Sequence, residues 1–171
     1  MFRALWIASL TSNVGTWMQS VAAVWLMTSL SSSPVMVALV QTAASLPLVF
    51  LALPAGALAD MVDRRKLLLA AQTWMLLASG ALGVLTVYGL RDPWWLLGFT
   101  FAMGLGSALT GPAWLAITLE LVPRGELPAA VALSSASLNM ARAIGPAIGG
   151  LIVAAMGPGP AFLLNAASFL A

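Results

Sequence analysis

Five apolar runs, each long enough to cross about 30 Å of hydrocarbon as a helix, take up most of this chain. They read as spans at 4–30, 35–59, 67–90, 94–119 and 127–155. A sixth begins near Ala161 and is incomplete where the chain stops at Ala171, inside the span 161–171. Turn-forming residues separate the runs: Ser31-Ser32-Ser33-Pro34, Arg91-Asp92-Pro93, Pro123-Arg124-Gly125 and Gly157-Pro158-Gly159-Pro160. Runs this long, repeated and punctuated, leave one economical solution, which is a bundle of helices in a bilayer. A bilayer core has no water for exposed backbone groups, so each segment must satisfy its own hydrogen bonds as a helix.

Composition agrees. Only 7% of the 171 residues are charged and the mean hydropathy is +1.02, where a soluble domain carries about 25% charged residues. A chain this short cannot hide so much apolar surface in its own core, so the outer face must meet lipid. The first run is too long for the apolar region of a signal peptide, which spans about 7–15 residues.

The same composition excludes several chemistries. There is no Cys and no His, so disulfides, thiolate or imidazole metal sites and Cys or His catalysis are out. No Asp or Glu lies deep in a span, which leaves an intramembrane enzyme without an acid–base pair. No Gly-rich loop carries a Lys for phosphate, and no basic patch is interleaved with aromatics for nucleic acid. The chain is read as non-enzymatic, with no cofactor and no metal.

Basic residues set topology through the positive-inside bias. With the N-terminus in the cytoplasm, Arg3, Arg64, Arg65, Lys66 and Arg124 fall inside and only Arg91 falls outside. Trp94 and Trp95 then lie at the outer interface, where indole rings are favoured. The chain is therefore expected to cross its membrane several times, with its N-terminus in the cytoplasm.

Some helices carry polar stripes. Ala8, Ser12, Gly15, Thr16, Gln19 and Ala23 share one face of the first span, opposite Ile7, Val14, Trp17, Val21 and Trp25. Thr100, Gly104, Ser107, Gly111, Trp114 and Thr118 form a stripe on the fourth. The fifth stacks Ser135, Asn139, Arg142 and Pro146, flanked by Gly145 and Gly149. Small residues on such stripes serve either close helix packing or a cavity wall. Gln19, Gln41 and Asn139 are more polar than packing requires and are read as cavity lining. Arg142 falls near mid-membrane, where a charge costs about 2.5–3.5 kcal/mol even on insertion scales. Such a residue has a function by default. The structural alternative is an Arg bonded to carbonyls that Pro146 frees.

Between the second and third runs, the stretch from Asp60 to Lys66 gathers five charged side chains. Gly56, Leu58-Ala59-Asp60 and then Arg64-Arg65 resemble the loop motif of the major facilitator superfamily. Met61 replaces the motif's first basic residue and Asp63 its second Gly. Gly145-Pro146-Ala147-Ile148-Gly149-Gly150 resembles the Gly-Pro-x-x-Gly-Gly core found in the antiporter branch, with Ala141 in place of the leading Gly. The Arg usual in the fourth helix is absent, and Thr100 or a neighbour takes its place. The whole text resembles the bacterial branch of enterobactin exporters and macrolide efflux proteins.

The resemblance implies a twelve-helix transporter of which this chain is the N-terminal half, built of two inverted three-helix repeats. It implies that helices one, two, four and five line the route, and that three and six lie outside. It implies secondary export of amphipathic small molecules by alternating access, with the proton as candidate coupling ion and the bilayer and the C-terminal half as partners. Gly56, Asp60, Arg64 and Arg65 would form a conformational switch that holds the outward-facing state. Gly145, Pro146, Gly149 and Gly150 would shape the interface between halves. A non-transporting scaffold or an inactive fragment is the alternative.

Overall fold

A computed structural model of the chain describes residues 2–89 and 92–170, without the side chains of 2–5, 59–60, 116, 118–121 and 124. The described residues are helical almost throughout: α1 (Phe2–Leu30), α2 (Pro34–Met61), α3 (Arg64–Val87), α4 (Pro93–Leu121), α5 (Leu127–Met156) and α6 (Pro158–Ser168). A single 3-10 turn at Arg124–Glu126 precedes α5.

Helix starts follow local chemistry. Proline opens α2, α4 and α6, and Pro128 lies in the first turn of α5. At a helix start the ring's fixed φ fits and its missing N–H costs nothing. Asp63 caps α3 by accepting from the backbone N–H groups of Arg65 and Lys66 at 2.9 and 3.2 Å. Asp92 does the same for α4, accepting from Trp94 at 2.7 Å. These caps correct two sequence boundaries. The third helix begins at Arg64 and not at residue 67, because Asp63 starts it early; Arg64, Arg65 and Lys66 thus form its first turn. The sixth begins at Pro158 and not near Ala161, because Gly157, at φ 83, turns the chain in one residue.

Among the described residues, four helices are long and apolar enough on their own to cross a membrane: Pro34–Leu58, Arg64–Val87, Pro93–Leu115 and Leu127–Met156. The first run, expected as a fifth, is 29 residues long but does not qualify on composition. Ser9, Thr11, Ser12, Asn13, Thr16, Gln19 and Ser20 dilute it.

Packing follows a two-fold pattern. The most extensive pairs are α2 with α4 and α5 with α1; α3 also packs on α4, α6 on α1, and α3 and α6 on each other. Exchanging α1–α3 for α4–α6 maps each pair onto another. Three spans reverse the chain's direction, so the second triplet runs inverted relative to the first. This is the arrangement of inverted three-helix repeats.

Where the two triplets meet, Ala22, Ala23, Leu26, Met27, Leu82, Leu96, Ala161 and Phe162 form the main apolar core. A polar knot adjoins it. Gln19 Oε1 accepts from Asn165 Nδ2 at 2.6 Å and lies 2.6 Å from the Ser79 hydroxyl, which also lies 2.8 Å from the Phe162 carbonyl oxygen. Gln19 Nε2 donates to the Met103 sulfur. Ser12 extends the contact by donating to the Ser168 carbonyl at 2.8 Å. Ser79 and Asn165 are fully buried and Gln19 nearly so. In a low-dielectric interior these bonds hold α1, α3 and α6 in one register, since any shift would strand polar atoms without partners.

Candidate functional site

On α5, one face is dressed for packing and the neighbouring one for solvent. Ala130, Ser137, Ala141, Gly145, Gly149 and Val153 are buried. A Cβ on Gly149 would lie 2.9 Å from both Cα and O of Met18, and one on Gly145 would lie 2.5 Å from Trp17 Cβ and 3.0 Å from the Val14 carbonyl oxygen. Only Gly lets α5 approach the α1 backbone this closely. The two glycines therefore close a contact inside this half. Gly150 points elsewhere, with nothing within 4 Å of where its Cβ would be, and Pro146 is half-buried.

This close approach builds a cleft. Trp17 of α1 and Ser135, Leu138, Asn139 and Arg142 of α5 line about 320 Å³ of space. The Arg142 guanidinium carbon stands 5.1 Å from the centre of the Trp17 ring, within cation–π range. Ser135, Asn139 and Arg142 are exposed. Among the described residues their side chains have no hydrogen-bond or ion-pair partner. Helical arithmetic places Arg142 about 22 Å from the start of α5, close to its middle.

A second cleft of about 160 Å³ lies between α1, α2 and α4. Thr16, Gln19, Ser20, Gln41, Thr100 and Ser107 supply its polar lining. Gln41 is exposed there, whereas Gln19 touches the cleft while its amide is committed to the buried knot. The structure thus brings Asn139 and Arg142 together in one cleft, and Gln19 and Gln41 in another. Gln19 thus lines this cleft while its amide bonds within the bundle.

The switch residues lie at the far ends of α2 and α3. Among the described residues, no heavy atom stands within 4 Å of a Cβ built on Gly56. The Asp60 side chain lies outside the described residues. Arg65 is exposed, and Arg64 is half-buried with a partner.

Residues that the sequence reading passed over matter to this geometry. Trp17 was placed on the face opposite the polar stripe, yet it forms one wall of the Arg142 cleft. Ser79 and Asn165 drew no notice because single polar residues in apolar helices carry no periodic signal. Asp63 and Asp92 show the ordinary signature of a cap, an acid just before an apolar run.

The family of transmembrane secretion effectors matches the chain over residues 1–171. The chain belongs to this family of major facilitator superfamily transporters. It is 30% identical over 92% of its length to an uncharacterised MFS-type transporter, YfiS, of Bacillus subtilis. It is 29% identical over 90% of its length to the staphyloferrin A transporter of Staphylococcus aureus. It is 30% identical over 95% of its length to the multidrug efflux pump Tap of Mycobacterium tuberculosis. The chain spans only 37%, 39% and 40% of these three relatives. The chain is thus an all-helical, multi-pass membrane member of a transporter family with efflux-type relatives.

Proposed function

We propose that this chain is the N-terminal half of a secondary active exporter of amphipathic small molecules, working by alternating access in a bacterial plasma membrane with its N-terminus in the cytoplasm. The observation that carries the reading is the unpartnered trio Ser135, Asn139 and Arg142, at mid-helix and turned away from the half's own core. Polar groups at membrane depth are costly unless they face protein or a water-filled route. A route between this half and a C-terminal half would solvate them. Relatives named as a multidrug efflux pump and as a staphyloferrin A transporter support the same reading.

Within this reading α1 crosses the membrane despite its polar content, because Ser12 and Gln19 bond inside the bundle. Asp60, Arg64 and Arg65 form a charged lock at the cytoplasmic end of α2 and α3. Gly56 receives a helix of the other half, and the proton is the candidate coupling ion.

The test is accumulation of a fluorescent amphipathic dye in cells that express the full-length protein and lack their own efflux pumps. The native protein lowers dye content, and collapsing the proton gradient restores it. Arg142→Ala abolishes the effect at unchanged membrane abundance. Equal dye content with native protein, variant and empty vector would remove the transport reading and favour a non-transporting scaffold.

A further inference from the structure

We infer that the α1–α5 cleft is a subsite for the anionic group of an amphipathic substrate, with Arg142 as its reading residue. The inference rests on the transport reading for its context and on the cleft geometry for its content. It begins with charge. Arg142 is a permanent cation near the middle of a 30-residue helix. The chain's acidic residues are Asp60, Asp63, Asp92, Glu120 and Glu126, all at helix ends. Glu126, the nearest along the chain, is about 24 Å away along the helix axis. Among the described residues, no carboxylate pairs with Arg142.

Hydrogen bonding points the same way. The guanidinium offers five N–H donors, and among the described residues none is used. The Trp17 ring takes up one side of the group, its centre 5.1 Å from the guanidinium carbon, and a ring face accepts none of those hydrogen bonds through a heteroatom. Asn139, one turn earlier, adds an amide, and Ser135 adds a hydroxyl. The cleft is therefore rich in donors and carries one uncancelled positive charge. Carboxylates, sulfonates and phosphates match a guanidinium fork with two parallel bonds. Trp17 and Leu138 supply apolar walls beside it, so the fitting ligand is anionic at one end and apolar at the other. A neutral or cationic amphiphile leaves the Arg142 charge uncompensated at membrane depth.

The experiment uses full-length protein and two probes that differ in one charged group: 8-anilinonaphthalene-1-sulfonate and its uncharged parent, N-phenyl-1-naphthylamine. Equilibrium binding is measured in nanodiscs, with empty nanodiscs as the blank, and flux is measured in proteoliposomes. The native protein binds the sulfonate at least tenfold more tightly than the parent. Arg142→Gln weakens sulfonate binding at least tenfold and changes parent binding less than twofold. Arg142→Lys, which keeps the charge and loses the fork, falls between. Should Arg142→Gln fail to fold, Asn139→Ala carries the test through a selective loss of threefold or more for the sulfonate.

The inference is overturned if the native protein shows no preference for the sulfonate, or if Arg142→Gln weakens both probes equally. The second result would assign Arg142 a partner elsewhere in the full-length chain. Arg142-dependent sulfonate binding without flux would keep the subsite and remove the transport reading. Flux of the parent with no preference for the sulfonate would do the reverse.

Discussion

Gly149 and Gly150 are neighbours in one motif, yet the fold asks opposite things of them. Gly149 lies against the backbone of α1, where an added Cβ would meet Met18 Cα and O at 2.9 Å. Neither atom can rotate aside, so Gly149→Ala must push α5 outward by several tenths of an ångström. Gly150 has open space where its Cβ would go. Both substitutions gain the same helix propensity, about 1 kcal/mol for Gly→Ala. That gain cancels when the two variants are compared, and the steric cost remains. Overpacking of this kind costs about 1–3 kcal/mol. Gly149→Ala should therefore be less stable than Gly150→Ala by that amount, and Gly150→Ala should be at least as stable as the native protein. Thermal unfolding of the purified full-length protein, followed by tryptophan fluorescence, measures the order. A Gly149→Ala variant that melts at or above Gly150→Ala would refute the packing, and with it the wall that holds Trp17 against Arg142.

Gln19→Leu leaves the Asn165 amide without its partner in a fully buried position and should cost about 1–3 kcal/mol. Adding Asn165→Leu should cost less than the sum of the two single changes, read by a double-mutant cycle of melting midpoints; strict additivity would show that the knot does not exist. Asp63→Ala removes the α3 cap and should cost about 1 kcal/mol, while Asp63→Ser should keep most of the stability; equal losses would point to charge and not capping. Asp60→Asn should slow dye export without altering the substrate range, and an altered range would move Asp60 from the switch to the binding route.

The bundle itself was legible because span length and turn residues are local properties of the text. The α5 trio was legible too, since Ser135, Asn139 and Arg142 recur at helical spacing. What escaped was every property that depends on which helix meets which. Gln19 and Asn139 look alike in sequence, each a polar residue on a small-residue stripe. One turns to Ser79 and Asn165, brought to it from distant helices, and the other turns to the open cleft. Trp17 lies opposite the polar stripe of α1, and only the approach of α5 makes that face a cleft wall. The third helix's start was missed for a different reason: Arg64–Lys66 were read as loop charge, and the cap at Asp63 that carries them into the helix was overlooked.

The seam between α1 and α5 has a mechanical consequence. Gly145 and Gly149 are one turn apart on the face pressed to Val14, Trp17 and Met18. If α5 slipped by one residue, or rolled about its own axis, Pro146 and Gly150 or Ile144 and Ile148 would take their places. Three of those four carry a Cβ that the gap cannot admit. The two helices are therefore geared together. On the proposed alternating-access reading, α5 would carry Trp17 with it wherever it is driven, and the cleft around Arg142 would travel intact.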